Sequence, residues 1–230
     1  TYPVTVLNPA PTVGPSNALN FTVSSPSEVW VDDDWAGSNP GDPVGGHTFA
    51  DDAFATLQLA TNGVSDAGIV HVAAGTYGGS LDIDTRTDLS YEGEGRDAVT
   101  FQPTATLPWN VGGYGSSRTA ALRVVESAEI DFSGITFDFA TVAGTNVIGV
   151  FYWNASGDHS DNRYRNMGLP ANYYEITSYW RAPGPPYSDG SRAEIGIAGC
   201  EFTDTGRLGL VTHDFVHATL EHSPFTKTYD

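Results

Sequence analysis

Four groups of residues in this chain have the types and spacing that chemistry requires. Thr212-His213-Asp214-Phe215-Val216-His217 sets two imidazoles around a carboxylate, and a His beside a carboxylate can act as a base. His217, Thr219 and Glu221 alternate with Ala218 and Leu220, so alternation points them outward. Residues 140–193 carry Phe151, Tyr152, Trp153, Tyr164, Tyr173, Tyr174, Tyr179, Trp180 and Tyr187, with Arg163, Arg165 and Arg181 among them. Flat aromatic faces stack on the C–H face of a sugar ring, and guanidinium groups pair carboxylates of acidic sugars in bidentate fashion. Trp153, Tyr174, Trp180 and Arg163 are the candidate carbohydrate contacts. Asp158-His159-Ser160-Asp161-Asn162-Arg163 has residue types suited to acid/base work or a hard cation. Asp32-Asp33-Asp34, with Asp42, Asp51 and Asp52, clusters the carboxylate oxygens that Ca²⁺ takes six to eight at a time, which makes Ca²⁺ the cofactor candidate.

Each group has a structural reading beside the chemical one. The aromatics can form a satellite core beneath a long loop. The His/Asp stretch can decorate a turn, the Asp158–Arg163 stretch can be a solvated loop, and Asp51 and Asp52 can cap a helix.

The elements that position these groups follow from pattern. The chain has 230 residues, 28 acidic against 10 basic side chains, and a formal net charge of −18. That charge disfavours nucleic acid and anionic membranes as partners. No apolar run reaches the roughly 18 residues of a membrane span. Cys200 is the single cysteine, so there is no internal disulfide. Ile130-Asp-Phe132 is followed five residues later by Phe137, Ile195-Gly-Ile197 by Phe202, and Ala218-Thr-Leu220 by Phe225. A short strand pair that returns every twenty-odd residues is one coil of a solenoid, whose core becomes continuous only when coils stack. Ile130, Phe132, Ile195, Ile197, Ala218 and Leu220 are expected to point inward on stacked parallel strands. Phe54, Leu57, Ala60 and Val64, spaced three to four apart behind Asp51-Asp52, predict an amphipathic helix over about 52–62 that covers the open first coil. Two stretches interrupt the period, 102–120 and 140–193, and both are read as insertions, the second as an ordered flap.

Val29-Trp-Val-Asp-Asp-Asp34, Ala53-Phe-Ala-Thr-Leu-Gln58, Val70-His-Val-Ala-Ala-Gly-Thr-Tyr77 and Leu89-Ser-Tyr-Glu-Gly-Glu-Gly95 resemble the N-terminal entry of right-handed parallel β-helix proteins of the pectate-lyase-like superfamily. Cys200-Glu-Phe-Thr-Asp-Thr-Gly206 with Leu208-Gly-Leu-Val211 is similar to the repeating coil. The resemblance covers residues 28–230. It implies an all-β, right-handed parallel β-helix with an N-terminal capping helix, acting outside the cell on a polysaccharide or cell-surface glycan as a lyase, a hydrolase or a non-catalytic relative. It also implies catalytic residues at coil turns, which makes Arg181, His213, Asp214 and His217 the candidates. The Arg-x-Pro-x-x-Arg stretch of pectate lyases begins at Arg181-Ala-Pro183, but Pro186 stands where its second Arg would be. The Asp-Pro-His pattern of alginate epimerases is absent. The competing function is a structural or adhesive surface or filament module.

Tyr2-Pro-Val-Thr-Val6, Asn8-Pro-Ala-Pro11 and Ser16-Asn-Ala-Leu-Asn-Phe-Thr-Val23 resemble the last two strands of an immunoglobulin-like IPT/TIG domain. That resemblance implies residues 1–25 are the tail of such a domain, with residues 26–230 a β-helix truncated at its C-terminal end. The partners implied are flanking domains of a longer parent protein or other copies of the chain.

Overall fold

The computed structural model describes residues 2–4, 19–21, 24–111, 114–142, 146–167, 175–181, 192–205 and 208–226. Side chains at 2–4, 19–21, 109–111, 114–117, 175, 176, 178, 180 and 181 are outside that description.

The chain is a right-handed parallel β-helix. Three sheets run along it, and successive coils add parallel strands to each. The first sheet holds eight strands: Val216–Glu221, Ala193–Ala198, Gly157–Ser160, Ala128–Ser133, Thr87–Gly93, Gly68–Val72, Glu28–Val31 and Ala53–Phe54, in spatial order. The second runs from Gly75–Tyr77 to Phe225–Thr226. The third includes Tyr114–Val125, Val147–Trp153, Glu175–Arg181 and Leu208–Asp214. Neighbouring coils pair in parallel, as in Leu89↔Ile130 and Tyr91↔Phe132. The stretch 102–120 holds an antiparallel exception, where Leu107–Val111 folds back on Tyr114–Val125. At the N-terminus, Tyr2–Val4 pairs antiparallel with Leu19–Phe21.

Alternation produces the core. In Gly68–Val72 the first, third and fifth residues are buried and the other two half-buried. Ile130, Phe132, Ile195 and Ile197 are buried as expected. Ala218 is partly buried against the same core, whereas Leu220 is 42% exposed. Leu220 stacks on Ile197 on one side only, because no described strand lies beyond it. In the second sheet Tyr77, Phe101, Phe137, Tyr164, Phe202 and Phe225 occupy one register position in six successive coils. Their rings form a ladder: Phe137–Tyr164 at 4.9 Å, Tyr164–Phe202 at 4.8 Å and Phe202–Phe225 at 4.3 Å, all within 13° of parallel. Each such pair contributes about 0.5–1.5 kcal/mol beyond simple burial.

The capping helix is shorter than its pattern predicts. It spans Leu57–Gly63 and buries Leu57, Ala60 and Thr61 against the first coil. The chain stays extended through Ala53–Phe54 because those residues pair with Trp30–Val31. The N-cap is therefore Thr56, whose Oγ1 accepts the Leu59 N–H at 3.3 Å. Asp52 instead accepts the Thr48 N–H at 2.8 Å and holds His47 at 3.0 Å. Thr56→Ala is expected to lower stability by about 1 kcal/mol, read as a lower urea midpoint at unchanged slope, with Asp51→Ala near neutral.

The expected flap over 140–193 is corrected by the pairing. Gly157–Ser160 pairs with Ala128–Ser133 on one side and Ala193–Ala198 on the other. Arg163–Arg165 joins the second sheet, and Val147–Trp153 and Glu175–Arg181 join the third. The stretch contains a full coil of the solenoid. Its inward positions are Gly157 and His159 rather than two aliphatic residues, which hides it from an apolar repeat search.

Candidate functional site

Outward-pointing residues of the first sheet line two adjoining cavities of about 470 and 370 Å³ that share Asp131 and Asp158. Together they make a groove along the coils. Asp131 lies between inward Ile130 and Phe132, and Asp158 lies between inward Gly157 and His159, so strand alternation turns both carboxylates outward from adjacent coils. The Asp158 N–H donates to Asp131 Oδ1 at 2.8 Å. The Gly196 N–H of the next coil donates to Asp158 Oδ1 at 3.1 Å. Gly196 pairs with Asp158 across the ladder, and a Cβ there would collide with the Asp158 carboxylate, so glycine keeps the floor open at this point.

Burial pushes the Asp131 carboxyl above the usual carboxylate range. The hydrogen bond from the Asp158 N–H opposes this, and the negative charges of Asp158, Glu129 and Asp88 add to it. Glu194 lines the larger cavity and is held by His217 Nδ1 at 2.6 Å. Arg192 supplies the guanidinium among the described lining residues of that cavity.

The predicted site residues fall into separate places. The 212–217 stretch is divided between two sheets: His213 and Asp214 end a strand of the third, and His217 belongs to the first. The chain turns between them at Asp214, whose φ is 57°. His217 therefore reaches the groove through Glu194, and His213 and Asp214 do not line it. On the third sheet, Trp153, Trp180 and His213 share one register position in successive coils, and Arg181 lies opposite Asp214. Residues far apart in sequence are thus brought to one edge, although the side chains of Trp180 and Arg181, and all of Tyr174, lie outside the described residues.

Trp153 does not offer the open stacking face expected of it. It is 2% exposed and packs with Ala120, Val125, Ile148 and Phe151 in a second apolar cluster. Arg163 is committed to Glu201 at 2.9 Å and Asp97 at 2.8 Å, carboxylates of this chain. The carboxylates of Asp32, Asp33 and Asp34 do lie within 4.8 Å of one another. Asp32 caps a short 3-10 turn by accepting the Asp34 N–H, and Asp33 accepts the Thr76 N–H from the next coil. These contacts account for the placement of both without an ion. Burial pushes the Cys200 thiol up to about 11, so it is not an activated nucleophile.

Sequence reasoning missed Asp131 and gave Asp158 no partner. Alternation around Ile130 and Phe132 already marks Asp131 as outward. Its neighbour across the ladder depends on the length of the intervening coil, which the sequence does not display.

No family model and no curated protein matches the sequence. Solved structures do match the fold. A pectin methylesterase crystallised with a hexasaccharide is 12% identical, with a TM-score of 0.50 over 90% of this chain and 68% of that one. The pectin methylesterase of Erwinia chrysanthemi is 13% identical, with the same TM-score and coverage. At such identity the likeness establishes the parallel β-helix architecture. No helix among the described residues is long and apolar enough to cross a membrane.

Proposed function

We propose that this β-helix processes a polysaccharide outside the cell, binding it along the groove of the first sheet and hydrolysing an ester on it. The observation that carries this reading is the Asp131–Asp158 pair at the junction of the two cavities. Paired carboxyl groups whose environments differ can divide acid and nucleophile roles. Asp131, held toward its protonated form, donates to the departing alcohol. Asp158 supplies the carboxylate that attacks the acyl carbon, and Asp131, ionised once the alcohol has left, takes a proton from the water that hydrolyses the resulting anhydride and frees Asp158. Arg192 provides positive charge for the developing oxyanion. The likeness to pectin methylesterases supports ester hydrolysis over the elimination chemistry of lyases.

Acid release from esterified polysaccharides, followed at constant pH, tests the reading. Asp158→Asn and Asp131→Asn are each expected to lower turnover by on the order of a hundredfold while the chain stays folded. Binding without acid release in the wild type would replace the enzyme with an adhesive module. Release untouched by either substitution would remove the carboxylate pair from the chemistry.

A further inference from the structure

The charge of the groove has a consequence for what can occupy it. Asp88, Glu129, Asp158 and Glu194 line the larger cavity beside the Asp131 carboxyl, against Arg192 as its one described cation. Glu221 extends the acidic lining into the smaller cavity. The carboxylates come from five successive coils, so the negative field follows the groove rather than one point on its wall. A cleft lined by one sign of charge concentrates ligands of the opposite sign and repels those of its own. A polyuronate laid here would set its carboxylates against those of the protein. A glycan with ammonium groups would meet complementary charge and acceptor oxygens at each coil, since charge-assisted hydrogen bonds are about twice as strong as neutral ones.

We infer that the groove selects a cationic glycan, one carrying free amino-sugar residues, over neutral or uronate polymers. This rests on the reading of the groove as the polysaccharide site and narrows the class of polymer that enters it. The site itself stands on the cavity, on the Asp131–Asp158 pair and on the open floor at Gly196. The charge pattern adds selectivity to that site.

Three hexasaccharides of matched length separate the possibilities by calorimetric titration: glucosamine, N-acetylglucosamine and galacturonate. At about 0.02 M salt the glucosamine hexamer is expected to bind at least tenfold tighter than its N-acetylated form, with galacturonate weakest. The ratio should shrink toward one near 1 M salt, where the Debye length is about 3 Å. Asp88→Asn with Glu129→Gln removes two charges from the groove wall and should cut the preference at least threefold. Both substitutions keep side-chain size, and Asn suits the positive φ of 56° at Asp88. Asp34→Asn with Asp51→Asn removes two charges from the distant N-terminal loop and should leave the preference in place.

Equal binding of the N-acetylated or uronate hexamer overturns the inference and leaves the groove reading intact. An equal effect of the remote pair also overturns it, because the selectivity would then come from net charge. Failure of all three hexamers to bind overturns this inference, while the proposed function stands or falls on acid release from esterified polysaccharides.

Discussion

Gly157→Ala is expected to destabilise the chain by about 3 kcal/mol or more. Gly157 opens the strand that follows the Asp131 coil, at a position facing the interior. A Cβ at this point would overlap the backbone O, C and N of Ile130 in the neighbouring coil. That backbone is pinned: the Ile130 N–H donates to the Ser156 carbonyl at 3.0 Å, and the Tyr152 hydroxyl donates to the Ile130 carbonyl at 3.0 Å. Relief would require breaking the parallel pairing on which both Asp131 and Asp158 depend. For a chain this long, the loss corresponds to a fall in Tm of roughly 6–12 °C. Gly37→Ala is the matched control, since Gly37 has a φ of 95° but nothing within 4 Å of its absent Cβ. It should cost about 1 kcal/mol, the backbone contribution alone. Equal melting of the two variants would show that the collision is relieved without loss.

Acid should unfold this protein through a single interior imidazole. His159 is 1% exposed, stacks 5.6 Å from Phe132, and meets the Tyr164 hydroxyl at 2.6 Å through Nδ1. His159 Nε2, also buried, has no hydrogen-bond partner among the described residues. The titratable side chains around the imidazole, Tyr152, Tyr164, Tyr179 and Cys200, are all neutral below pH 7 because burial raises each of them. No anion among the described residues contributes to the shift, and burial lowers the His159 pKa from 6.5 to about 3. Between those values the unfolded chain binds a proton that the folded chain refuses, so stability is full above pH 6.5 and falls as pH drops. The slope is about 1.4 kcal/mol per pH unit, or roughly 4–5 kcal/mol by pH 3. The raised Asp131 works in the opposite direction, since its folded form takes up a proton more readily than the unfolded one. Urea midpoints between pH 7 and pH 4 for wild type and for His159→Phe with Tyr164→Phe isolate the histidine. The double variant keeps the ring slot and removes the Tyr164 hydroxyl that would otherwise lose its imidazole partner. It should lose most of the acid sensitivity. Parallel pH profiles would refute the assignment.

His159 and Gly157 also explain why one coil escapes a reading of the sequence. A parallel β-helix is legible where inward positions are aliphatic or aromatic, as at Ile130/Phe132 and Ile195/Ile197. At the intervening coil the core accepts a glycine against the Ile130 backbone and a neutral imidazole among aromatic rings. The apolar period therefore skips from Phe132 to Ile197 and resembles an insertion. The capping helix was legible from Leu57, Ala60 and Val64, but its start depended on Ala53–Phe54 being drawn into the first sheet.

The sequence by itself determined the architecture: inward residues that recur every twenty-odd positions form a continuous core when coils stack. It also determined that Asp131 faces outward, because side chains alternate along a strand. Only the tertiary structure decided which outward residues meet. Coils vary from 21 residues, Val70 to Tyr91, to 41, Tyr91 to Phe132. Neighbours across the ladder therefore cannot be counted off in advance. That variable length sets Asp158 beside Asp131, hands His217 to Glu194, and divides His213 from His217 although only three residues separate them. Backbone pairing fixes the register, and the register assembles the groove.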